Sequence, residues 1–199
     1  MPSFDVLVVT PPSPADPSLA IAACRAGLRG FLDLEFAPDE PAALAAVERL
    51  ERFTRTGFGV KLGRDAGSLV CRLAGSSPRL RWVILAGGLH PHLEEWIQLF
   101  HRHDLTVLLE AINLDEALAG ERLGVDGLIL KGHEAAGRVG TQTAFVLTQQ
   151  WVSSKAVRGA CPGHSPTTTL PFWVQGGIGL NAAAACLAAG AAGVVLDCQ

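Results

Sequence analysis

The sequence predicts an α/β fold, a closed (βα)8 (TIM) barrel of eight parallel strands without its final helix. Three observations carry this. Strand-like and helix-like segments alternate eight times with no hairpin signal between strands, and parallel strands need such crossovers. The strands read as continuous apolar runs, as they do when both sheet faces are covered. Eight units also exceed the roughly five to seven strands of an open doubly wound sheet. The 199 residues form one barrel domain, 1–199. Because the chain stops at Gln199 directly after strand eight, it is expected to be excised from a longer chain.

The elements follow in order. Strand one, 5–10, is a β-branched run stopped by Pro11 and Pro12. Asp16 reads as a helix cap and Pro17 as the first helical position, with Gly27 ending the helix. Strand two, 31–36, leaves Glu35 at its far end. Residues 40–53 form a helix whose Leu44, Val47 and Leu50 make a core-facing stripe. Strand three, 58–62, exits at Lys61, and a helix spans 66–74. Strand four, 81–86, opens into Gly87-Gly88-Leu89-His90-Pro91, and helix 93–103 presents Trp96, Leu99 and Phe100. Strand five, 106–111, ends in Glu110 and is followed by helix 114–123. Strand six, 127–130, runs into a glycine-rich loop carrying Lys131, His133, Glu134 and Arg138, before helix 141–157. Residues 159–169 lack periodicity and read as a flexible loop. Strand seven, 172–175, leads to Gly176-Gly177-Ile178-Gly179. Asn181 caps an alanine-rich helix, and 192–197 is strand eight.

Composition narrows the function. The chain is 49% apolar and 18% charged with a net charge of −3, a soluble globular balance without the basic footprint of a nucleic-acid binder. No apolar run is long enough for a membrane span and no signal peptide is present, so a cytoplasmic protein is expected. The five cysteines (24, 71, 161, 186, 198) include no Cys-x-x-Cys, which signals neither a disulfide framework nor a zinc site. Cys24, Cys71 and Cys186 read as small buried hydrophobes on helices.

Barrel strands of this type deliver their C-terminal ends to one cavity. Here those ends carry Glu35, Lys61, Glu110, Lys131, Gln175 and Asp197. Such a set is either a polar mouth serving a ligand or a self-satisfied ring of salt bridges. The turn Gln175-Gly176-Gly177-Ile178-Gly179 before a helix suits a phosphate, whose charge meets backbone N–H groups and the positive end of the helix dipole; a tight turn requiring glycine is the alternative. His90, His92, His101 and His103 make no metal set, since His101 and His103 cannot share a helix face. His90 and His92 flank Pro91 in a loop facing the mouth, His164 reads as solvated, and His133 is the better ligand candidate. No nucleophile elbow or Ser-His-Asp set is present.

With these motifs in place the chain resembles the nitronate monooxygenase (2-nitropropane dioxygenase) group of FMN-binding barrels, which includes FMN-dependent enoyl-acyl-carrier-protein reductases. Asp126 to Gly140 is similar to that family's strand-six motif, Gln175-Gly176-Gly177-Ile178 to its phosphate-binding Gly-Gly-Ile, and Phe58–Leu62 to its strand-three Phe-Gly-Val-Asn-Leu. The strand-six variant looks most like the nitronate-monooxygenase-like domains of polyketide-synthase-type multienzymes. The resemblance implies FMN as cofactor, contacted by Pro11, Lys61, Lys131, Gly132, Gln175, Gly176 and Gly177. It implies a catalytic set of Arg138, His133 and Lys131, a small-molecule or acyl-carrier-bound substrate, and neighbouring multienzyme domains as partners. Arg138 stands where the family places its histidine base, Lys61 where it has asparagine, and Pro11-Pro12 where it has Pro-Met. The family's second phosphate loop lies beyond Gln199. An arginine cannot take a proton at neutral pH but is suited to stabilising negative charge, which favours hydride chemistry over nitroalkane deprotonation. Two other readings stay open: a flavin-free barrel serving as a structural or docking module, and a barrel for another phosphorylated small molecule.

Overall fold

The structure is a computed structural model that describes residues 4–12, 15–36, 39–75, 77–159 and 170–197. Strands β1 (Asp5–Val9), β2 (Arg29–Asp33), β3 (Phe58–Leu62), β4 (Leu80–Leu85), β5 (Thr106–Ala111), β6 (Gly127–Lys131), β7 (Phe172–Gln175) and β8 (Gly193–Leu196) pair in sequence order, all parallel. β8 pairs back onto β1 with Val6 beside Val194, so the sheet closes and leaves no edge. Seven helices cover it among the described residues: α1 (Ser18–Arg25), α2 (Glu40–Phe53), α3 (Gly67–Leu73), α4 (Leu93–Arg102), α5 (Leu114–Leu123), α6 (Ala144–Gly159) and α7 (Leu180–Ala188). The predicted barrel and its seven helices are therefore the observed ones.

Two apolar layers hold the molecule. Between sheet and helices lies the larger core, including Leu32, Val60, Val83, Phe100, Leu130 and Trp151. Inside the barrel a smaller cluster contains Leu7, Val9, Phe31, Ile84, Leu108, Ile129, Trp173 and Val195. Gly59 makes room there, since a Cβ on it would lie 2.2 Å from the Phe31 ring.

Where boundaries differ, local chemistry accounts for it. β2 begins at Arg29 because its guanidinium bridges Asp5 at 3.0 Å and lies 5.0 Å from the Trp82 ring centre. Gly30 belongs inside that strand because α1 presses on it; a Cβ would fall 2.2 Å from the Ala20 carbonyl oxygen. Pro17 precedes α1 instead of opening it, and Asp16 Oδ1 accepts the Ser18 N–H at 3.1 Å. α6 starts at Ala144 because Glu134 Oε2 accepts the Ala144 N–H at 3.0 Å and Thr143 Oγ1 that of Val146 at 3.1 Å. The cap of α7 is Gly179, with no side-chain bond, and Asn181 sits exposed within the first turn. Gly159 ends α6, while the remainder of the expected flexible loop, 160–169 with Cys161 and His164, and also Cys198, lie outside the described residues. Cys24 is buried as expected, Cys186 is half-buried, and Cys71 is exposed on α3, facing away from the core. Among the described residues no helix is long and apolar enough to cross a membrane.

Candidate functional site

The barrel interior has two tiers because side chains alternate along a strand. Two residues beyond each inward apolar residue stands a polar one: Asp33 after Phe31, Lys61 after Gly59, Glu110 after Leu108, Lys131 after Ile129, Gln175 after Trp173 and Asp197 after Val195. The predicted strand-end residues thus do converge. Two of the chain's three lysines are in this set.

Lys61 Nζ lies 2.8 Å from Glu35 Oε2, 3.0 Å from Glu110 Oε2 and 3.3 Å from Asp33 Oδ2. Lys131 Nζ donates to the same Glu110 oxygen at 3.2 Å and is fully buried. Burial works to depress the Lys61 ammonium, and the carboxylates of Glu110, Asp33 and Glu35 outweigh it, so its pKa is held above the usual lysine value. Burial pushes the Asp33 carboxyl above its usual range against the pull of Lys61. The cluster holds three carboxylates against two ammoniums, and Glu110 Oε1 has no hydrogen-bond partner among the described residues. Asp33 is further fixed by Oδ1 accepting the Glu35 N–H at 2.8 Å and by its own N–H donating to Thr10 Oγ1 at 2.9 Å. Beside this set, Gln175 Nε2 donates to Asp197 Oδ2 at 2.7 Å.

The loop after β6 is folded over the mouth. Gly137, at φ +82°, comes so close that a Cβ on it would lie 3.4 Å from Lys131 Nζ. Gly132 N–H donates to the Gln175 carbonyl at 2.9 Å, and His133 N–H to that of Gln142 at 2.9 Å. Arg138 forms a two-pronged pair with Glu116 on α5, Nη1 to Oε2 at 3.2 Å and Nη2 to Oε1, and the mouth carboxylates Glu110 and Glu35 also act on its charge. Its guanidinium lies where a Gly88 side chain would be, 2.7 Å from that Cβ position. Hydrogen bonding to Glu116 holds the Arg138 pKa above the usual value. The cavity left among Thr10, Pro12, Glu35, Lys61, Gly137 and Asp197 is about 10 Å³, room for one water at most.

Of the other predicted residues, Pro11 is exposed beside Pro12, and His133 is exposed in the β6 loop. His90 packs edge-on against Trp96, with ring centres 4.7 Å apart. Among the described residues no cluster could hold a metal ion. Gly176 and Gly177 turn the chain at φ +120° and +61°, and the N–H groups of Leu180, Asn181 and Ala182 take no hydrogen bond among the described residues. No atom lies within 4 Å of a Cβ built on Gly179, so the cradle is open, although Glu134 stands at its edge. Asp33 and Glu116 were missed in the sequence. Asp33 was readable from the period of two counted from Phe31, whereas nothing local marks Glu116, which stands on α5, as the partner of Arg138.

FMN thus fits at one end only. The open amides after β7 suit its phosphate; the cavity within the charged mouth, about 10 Å³, is too small to take its ring.

No protein-family model and no curated protein matches the chain. Solved structures do. FabK from Thermotoga maritima superposes with a TM-score of 0.80 at 24% identity, covering 98% of this chain and 58% of that one. The nitroalkane oxidase from Streptomyces ansochromogenes gives 0.70 at 24%, covering 96% and 64%. A native KDPGal structure gives 0.60 at 17%, covering 98% and 82%. The likeness is one of fold, and this chain spans about three-fifths of the length of the first two.

Proposed function

We propose that the chain is an FMN-dependent oxidoreductase domain of the nitronate monooxygenase and enoyl reductase type, acting on an acyl-chain or nitronate-like substrate. The observation that carries this is the open run of amides at Leu180–Ala182 behind Gly176-Gly177, beside a polar mouth, in a barrel superposable on FabK and a nitroalkane oxidase. Bound there, FMN would supply hydride or electron transfer. The α7 amides would hold the phosphate. Lys61, kept cationic by three carboxylates, is unsuited to accepting a proton, and Arg138 is a fixed cation spoken for by Glu116. His133, exposed in the same loop, is the candidate for proton exchange, imidazole being the side chain suited to it near neutral pH. Lys131 stays a buried positive neighbour of the mouth.

The closed mouth favours a second reading, the flavin-free module, in which the Lys61 cluster serves stability alone. Titration with FMN and with riboflavin, followed by flavin absorbance and fluorescence, separates them. The first reading expects saturable binding that is at least ten-fold weaker without the phosphate. Protein that binds neither supports the second.

A further inference from the structure

A cavity of about 560 Å³ lies between α6 and α7, outside the barrel; one end opens onto Gly176, Gly177, Ile178 and Glu134, the cradle proposed above for a phosphate, and the rest runs between the two helices. That is the size of a small-molecule pocket, roughly 300–1,000 Å³. Its floor is Val174 of β7, and its far wall is one stripe of α7, Ala182, Ala185, Cys186 and Ala189, spaced as one helix face. The near wall is Ala144, Phe145, Thr148 and Val152 of α6. In a packed barrel these two stripes would meet each other. Here α7 has no buried residue, unlike α1 to α5, and Phe145 is 65% exposed. Within the wall Thr148 is 6% exposed, and its hydroxyl oxygen is buried with no partner among the described residues. A buried hydroxyl of this kind is normally satisfied, by protein or by something bound.

We propose that this slot binds a medium-length aliphatic chain, an alkyl or acyl group, with one hydrogen-bonding group beside Thr148. The chemistry follows from the walls. They are mostly apolar, alanine keeps the far side narrow, and the polar side chains besides Thr148, namely Glu134, Gln149 and Ser153, belong to exposed residues. The wall from Ala182 to Ala189 covers eight residues, whose seven rises of ~1.5 Å make about 10 Å. An extended chain of roughly eight to ten carbons fits, at the ~1.5 Å carbon–carbon bond shortened by its zigzag. The slot shares its Gly176-Gly177 end with the proposed phosphate cradle, while Thr148 and the α6 and α7 stripes that argue for an aliphatic chain do not belong to that cradle.

The test is calorimetric titration of the whole chain with 1-decanol and with decanoic acid. Saturable micromolar binding of one of them is expected, weakened at least ten-fold in Ala185→Trp, which fills the slot. Thr148→Val is the second variant. It should weaken binding several-fold while leaving the melting temperature of the unliganded protein unchanged or raised, because it removes an unsatisfied hydroxyl. Absence of binding by both probes, or undiminished affinity in a folded Ala185→Trp, overturns the proposal. The alkyl probes are titrated without FMN, and FMN binding is read separately by absorbance, so loss of alkyl binding with FMN binding intact overturns this proposal alone.

Discussion

Replacing Lys61 with methionine keeps the stem and removes the ammonium from among Glu35, Glu110 and Asp33 at 2.8, 3.0 and 3.3 Å. At an effective dielectric of ~20, a unit pair at ~3 Å is worth about 5 kcal/mol gross. Three such contacts are largely offset by repulsion among the carboxylates and by stripping water from an amine only 5% exposed. What the variant loses is the balance of the cluster, since three buried carboxylates then face Lys131 alone. Breaking a buried pair from one side costs about 3–5 kcal/mol. For a barrel of this size that is a fall in Tm of about 10 °C, at ~2–4 °C per kcal/mol. Urea unfolding followed by circular dichroism at pH 7 measures it. Lys131→Met, which removes a single contact at 3.2 Å, should cost less. Adding Glu110→Gln to Lys61→Met should recover about 0.5–3 kcal/mol of the loss, as expected for directly coupled groups. A Lys61→Met cost below about 1 kcal/mol, or a Lys131→Met cost equal to it, would refute the picture of Lys61 as the cluster's centre.

Alkaline pH reads the same amine independently. Its folded pKa is raised, so its contribution is complete below the ordinary lysine value of 10.5 and declines as pH rises above it, by about 1.4 kcal/mol per unit. The chain has no tyrosine to obscure this. The stability gap between wild type and Lys61→Met should be flat from pH 8 to 10 and narrow by pH 11.5; a constant gap counts against the assignment. Arg138→Ala should release the β6 loop from α5, with amide hydrogen exchange at 136–140 accelerated at least ten-fold. Lys131 should then become accessible to reductive methylation, which the chain's three lysines make simple to map. Unchanged exchange would mean that the Gly132 and His133 backbone bonds hold the loop without the arginine.

Much of this architecture was legible because long-range order here is built from local periodicity. The runs at β3, β5 and β7 and the stripe of α2 have the bounds their residues suggest. Arg29 and Gly30 look like loop residues in the sequence, and they join β2 only because Asp5, Trp82 and α1 lie across from them. The same limit applies at the mouth. That Lys61, Glu110 and Lys131 converge follows from alternation along strands; β2 ends at Asp33, short of the expected 36, and Glu35 reaches the cluster from the turn that follows. That Arg138 turns to Glu116, and that Gly137 seats the loop on Lys131, depends on how loops of different strands meet, which no local spacing encodes.

The tiering of the interior also guards the alignment of the staves. A strand displaced by a single residue would swing its ionic side chain outward into the greasy sleeve under the helices and bring an aliphatic one into the ring of charges. In β3 such a slip strands an ammonium in the buried apolar layer to which Val60 and Leu62 now belong. The charges at the rim therefore act as alignment pins, penalising any closure displaced by an odd number of residues whatever ligand the barrel carries.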